Sequence, residues 1–134
     1  MRMYTIGTDI LDHWHWLEPM LKPAMDRDLN PVHTTGHWLA DILAGRSFVL
    51  VVEDLEEPQM VVILMPGKTI LHLEAWAGDG SRKYLPAALA RVQEIARGFN
   101  ARQITTRIRP GGMKLLQKLG GYKVHSYYMN CEVV

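Results

Sequence analysis

The chain has 134 residues, 48% hydrophobic and 22% charged with a single cysteine, which excludes a collagen-like repeat, a disulfide scaffold and a long disordered tail. Its longest apolar run, residues 60–65, is far short of the ~20 residues that a membrane helix needs, so no membrane partner is expected. The net charge of +1 hides an acidic stretch, residues 1–80 with five Lys/Arg against twelve Asp/Glu, and a basic one, residues 81–134 with ten against two.

Residues 1–6 alternate as an opening strand. Thr8 or Asp9 can cap a helix that carries Ile10, Trp14, Leu17 and Leu21 on one face, with Pro19 disturbing it. Residues 22–31 read as an exposed acidic connector. Thr34 or Thr35 starts a second helix, with Trp38, Leu39, Ile42 and Leu43 on one side and Gly45 as its stop. The valine-rich runs 48–52 and 59–65, separated by an acidic turn, predict a hairpin. A third strand follows over about 69–76. After the breaker Gly78-Asp79-Gly80-Ser81 comes a helix with Leu85, Leu89, Val92, Ala96 and Phe99 at spacings of four, three, four and three. Residues 103–108 form a strand, 113–119 a short helix, and 122–133 a final strand or two short strands joined by a bulge.

The order predicts one α/β domain over residues 1–134, with a mixed, mainly antiparallel sheet flanked by helices. The strand before Gly78 and the strand at 103–108 should be parallel neighbours, because the connection between them is too long for a hairpin and carries an apolar helical face. The N-terminal residues show no secretory pattern, and a lone cysteine suits a reducing compartment, so a cytoplasmic location is expected.

The stretch from Leu71 to Tyr122, LHLEAWAGDGSRKYLPAALARVQEIARGFNARQITTRIRPGGMKLLQKLGGY, resembles the GNAT superfamily of acyl-CoA-dependent N-acyltransferases. Ala87-Ala88-Leu89, Glu94-Ile95-Ala96-Arg97-Gly98 and Lys118-Leu119-Gly120-Gly121-Tyr122 occupy the places of the family's helix after the phosphate loop, the end of that helix and the end of its last short helix. The resemblance is a degenerate one. With Pro86-Ala87-Ala88-Leu89 set as the first turn after the loop, the family's two loop glycines fall on Lys83 and Leu85. Small GNAT-like proteins of phage genomes look similar.

The resemblance implies the GNAT fold, acetyl-CoA as cofactor and an amine as acceptor. It also implies a pyrophosphate contact over Gly80, Ser81, Arg82, Lys83, Tyr84 and Leu85, where glycines admit backbone amides to an anion at a helix N-terminus. The chemistry needs a base for the amine and an acid for the leaving thiolate. Glu74, the only carboxylate inside the third strand of the hairpin region, is the candidate base. The competing reading is an outward polar residue of an alternating strand, with Leu71, Leu73 and Ala75 facing in. The family's tyrosine acid would fall near Leu116 or Gln117, neither of which can serve. Tyr84, Tyr122, Tyr127 and Tyr128 remain as substitutes, with Tyr127 the candidate.

Other constellations carry less. His33 and His37 lack a third ligand, so no metal site is expected. Cys131 falls in an apolar alternation and reads as a buried small hydrophobe. Arg107 and Arg109 could meet an anion or an acidic partner. No basic motif with interleaved aromatics supports nucleic-acid binding.

Two functions stay open. One is an acetyl-CoA-dependent N-acyltransferase with an atypical phosphate loop. The other is a non-catalytic GNAT-like interaction or structural component, for example of a phage virion. The opposed charges would permit a homo-oligomer or a protein partner, with Trp14, Trp16 and Trp38 as an apolar centre if they lie on the surface.

Overall fold

The computed structural model describes residues 1–27, 33–107, 110–119, 122–125 and 128–134. Its strands are β1 (Arg2–Ile6), β2 (Phe48–Asp54), β3 (Glu57–Pro66), β4 (Ile70–Ala77), β5 (Gln103–Arg107), β6 (Lys123–His125) and β7 (Tyr128–Glu132). Its α-helices are α1 (Trp14–Asp26), α2 (Thr35–Leu43), α3 (Ser81–Gly98) and α4 (Pro110–Leu119), with a 3-10 turn at Ile10–Asp12. The strands make one sheet in the order β1-β2-β3-β4-β5-β7-β6. Among the described strands only β4 and β5 run parallel, and α3 connects them, as the crossover length requires. The other neighbours are antiparallel.

Helices cover both faces, which is why the central strands read as unbroken apolar runs. Along β2, Leu50 and Val52 join the core under α3 and α4, with Leu85, Ala88, Val92 and Leu116. Val49 and Val51 point the other way, to Leu17, Leu21, Met25, Trp38 and Ile42 beneath α1 and α2. The β2–β3 turn has two residues, Leu55 and Glu56, with φ of +56° and +63°. Those are the left-handed values of a primed turn, adopted here by residues that disfavour them.

Three expectations need correction. Residues 22–26 are not a connector: α1 continues through Pro19 and Pro23 to Asp26. Each proline removes one helical hydrogen bond, at a cost of about 3 kcal/mol. Burial of Leu21 and Met25 beyond Pro19 returns roughly 1.5–3 kcal/mol apiece and keeps the helix intact. Phe99 caps α3 in solvent rather than extending its buried face, and its ring lies 5.9 Å from that of Phe48. The C-terminal segment is neither one strand nor two joined by a bulge, but two short strands paired antiparallel. β6 turns back on β7, which inserts between β5 and β6.

Candidate functional site

The site is built around an irregularity in β4. Ile63 of β3 faces Ala75, yet its neighbour Leu64 faces Leu73, so Glu74 is the extra residue of a β-bulge. The bulge reverses the facing of the strand. Leu71 and Leu73 enter the α3-side core, whereas Ala75 packs on the α1-side core. The expected inward trio of Leu71, Leu73 and Ala75 is therefore split between the two faces.

The same place is a fork. Parallel pairing joins Ile70–Leu73 to residues 103–106 and stops there, while β4 runs on to Ala77 paired with β3. Among the described residues, no strand pairs with β4 beyond Leu73 on its β5 side. Thr106, fully buried, donates its hydroxyl to the Leu73 carbonyl at 2.8 Å and fastens the last rung.

Glu74 is part of a cluster. Its Oε2 lies 3.3 Å from His72 Nε2, with side-chain exposures of 32% and 20%. The other ring nitrogen, Nδ1, lies 2.8 Å from the hydroxyl of Thr105, the register partner of His72 on β5. Sequence reasoning missed both His72 and Thr105. His72 could have been found, since residues two apart on a strand share a face. Thr105 could not, because parallel register leaves no local mark.

At the end of β4 the chain passes into α3 through only three residues, Gly78, Asp79 and Gly80. A β-carbon on Gly78, at φ +119°, would lie 2.5 Å from the Gln59 carbonyl oxygen. The glycine is thus required by close packing on β3. Gly80 donates its N–H to that carbonyl at 3.0 Å, and both the amide and the hydroxyl of Ser81 donate to the carbonyl of Gly78. The amides of Arg82 and Lys83 fall in the first turn, where a helix offers no acceptor of its own.

The helix starts earlier than the resemblance set it, so Pro86 belongs to its second turn. Lys83 and Leu85, the family's glycine positions, lie inside the helix. Leu85 is buried in the core and Tyr84 nearly so. The Tyr84 hydroxyl donates to the Asp54 carboxylate, and its amide donates to the Gly80 carbonyl. That bond, then burial, raises the Tyr84 pKa, and the same bond lowers that of Asp54. Tyr84 and Leu85 accordingly present no side chain to an anion, and Gly80, Ser81, Arg82 and Lys83 remain at the helix start.

Of the tyrosines, Tyr127 lies outside the described residues. Tyr122 is buried, and its pKa is raised by burial and by nearby Cys131. Burial likewise raises the Cys131 thiol, as suits a small core residue. Arg109 also lies outside the described residues, and Arg107 is exposed at the end of β5.

A separate open groove of about 360 Å³ lies between α1 and α2, lined by Trp14, His15, Glu18, Pro19, Thr35, Gly36 and Leu39. None of the sequence-predicted site residues lines it. Trp38 is buried, whereas Trp14 and Trp16 are half-buried against the same core, and Trp14 also lines the groove. Among the described residues there is no cluster able to hold a metal ion, and no helix is long and apolar enough to cross a membrane.

No protein-family model matches the sequence, and no curated protein matches it. Solved structures do match in fold. Tetrahymena GCN5 superposes with a TM-score of 0.76 at 12% identity, over 100% of this chain and 97% of that one. The aminoglycoside 6'-N-acetyltransferase of Enterococcus faecium gives 0.77 at 11% identity, over 100% and 98%. The Thermoplasma acidophilum PaiA N-acetyltransferase, solved in complex with coenzyme A, gives 0.68 at 10% identity, over 98% and 99%. At these identities the likeness is one of fold, and the fold of this chain is the GNAT fold.

Proposed function

We propose that the protein is an acetyl-CoA-dependent N-acyltransferase acting on a small-molecule or peptidyl amine in the cytoplasm. The observation that carries this reading is the fork at Leu73. It sets a half-exposed carboxylate, Glu74, on the part of β4 that no described strand pairs with on its β5 side, and that part runs about 13 Å to Ala77, which three residues separate from α3. That stretch offers backbone groups to an extended ligand arm. The first turn of α3 offers the amides and side chains of Arg82 and Lys83 to a pyrophosphate, with the helix dipole in support. Bound there, acetyl-CoA would supply an activated thioester carbonyl. Glu74 takes the proton from the attacking amine, directly or through one water. The thiolate acid is left to Tyr127.

A second reading has its own support. The three-residue β4–α3 connection uses Gly78 to pack on Gln59, and Tyr84 and Leu85 face the core. A GNAT-fold chain with so short a loop suits a non-catalytic interaction or structural component, such as one of a phage particle.

Calorimetry with acetyl-CoA separates the two readings. The enzymatic reading expects micromolar binding, weakened about tenfold by Lys83→Ala, a change of about 1.4 kcal/mol. Millimolar or undetectable binding, unchanged by Lys83→Ala, would favour the non-catalytic component.

A further inference from the structure

We propose that His72 is a positioning residue for Glu74, held in a single tautomer by Thr105; this rests on the reading of Glu74 as the base. The need for such a residue follows from the bulge. Glu74 has no rung of its own on β3 and lies beyond the last rung to β5, so the ladder does not fix its direction. His72 is a partner that gives the carboxylate a direction. It lies on a regular rung opposite Thr105, on the face away from Leu71 and Leu73.

The proton inventory then leaves one arrangement for the neutral ring. A carboxylate can only accept, so Nε2, 3.3 Å from Glu74, must carry the hydrogen. Nδ1 is left with a lone pair, 2.8 Å from the Thr105 hydroxyl, and takes its hydrogen. The chain Thr105–His72–Glu74 spans both strands just before they part. The carboxylate is thereby referenced to β5 as well as to β4, and an amine entering the fork meets it in one orientation. The logic is that of an imidazole whose second nitrogen is tied down so that the first points correctly.

The test is nitrogen-15 NMR of the His72 ring in the full chain, with His72→Gln to identify its signals, alongside acetyl-transfer kinetics. The neutral ring should show a protonated Nε2 and an unprotonated Nδ1. Thr105→Val should release the lock and admit the second tautomer, while Thr105→Ser should keep it. In kinetics, His72→Leu should lower kcat about tenfold with the KM for acetyl-CoA unchanged, and His72→Gln, which keeps an N–H donor, should recover most of the loss. A ring protonated at Nδ1, a tautomer ratio indifferent to Thr105→Val, or equal losses in the Leu and Gln variants would overturn the inference while leaving Glu74 as base. A wild type that transfers no acetyl group would remove the base reading, and this inference with it.

Discussion

The β2–β3 hairpin and the β4–β5 pair belong to the same sheet and are built on different terms. In the hairpin, Val49, Leu50, Val51 and Val52 face Ile63, Val62, Val61 and Met60, rung for rung, and all eight are buried. In β4 the apolar run is broken by His72 and Glu74, the register slips at Glu74, and the partnership with β5 ends after four rungs. On these four rungs the hairpin commits every side chain to the two cores. Beyond Leu73 no described strand pairs with β4 on its β5 side, and Thr106 and close glycine packing hold that end of the pair in place.

That contrast can be broken by substitution. The largest loss is expected in the hairpin, where Leu50→Ala removes a fully buried side chain and should cost about 2–5 kcal/mol in denaturant unfolding. A variant near wild type would mean that the core collapses around the gap. Gly78→Ala should come next, at about 1–3 kcal/mol, because φ +119° and the Gln59 carbonyl both oppose a β-carbon. A neutral Gly78→Ala would show that β4 and β3 are less closely apposed than this packing requires.

Two smaller effects sharpen the comparison. The turn residues Leu55 and Glu56 are poorly suited to their left-handed φ, so replacing them with Asn and Gly should raise stability by about 1 kcal/mol, read as an increase in Tm. Titration should show the least. Tyr84 and Tyr122 have pKa values raised in the folded state, so their contribution is complete below the ordinary tyrosine value of 10.0 and is lost as pH rises through the folded values. Thermal unfolding should therefore be insensitive to these groups up to pH 10.0 and weaken above it, and Tyr84→Phe should flatten part of that decline.

How much could be read beforehand follows the same division. β2, β3 and α3 announce themselves because their side chains do one job, and Leu85, Leu89, Val92 and Ala96 keep helical spacing throughout. The parallel pairing of β4 with β5 was legible from the length of the crossover and its apolar helical face. The length of α1 was not, because two prolines argue locally against a helix that the buried Leu21 and Met25 sustain. The bulge at Glu74 was hidden for a related reason. A strand with polar residues at positions 72 and 74 looks like plain alternation, and only the slip against Ile63 and Leu64 shows that the period changes. The first turn of α3 was set too late by the resemblance, which looks for glycines at positions 83 and 85, whereas the helix begins at Ser81, and Gly78 and Gly80 answer to the crowding of Gln59.

The central claim is that the fork in β4 supports acyl transfer with Glu74 as base. The most direct measurement is acetyl transfer from acetyl-CoA to a panel of primary amines, followed by mass spectrometry of the product, for wild type and Glu74→Gln. The account predicts transfer by the wild type and a fall of about 100-fold in kcat for Glu74→Gln, with acetyl-CoA affinity and thermal stability unchanged. Equal rates for the two proteins, or no transfer by a wild type that binds acetyl-CoA tightly, would contradict it.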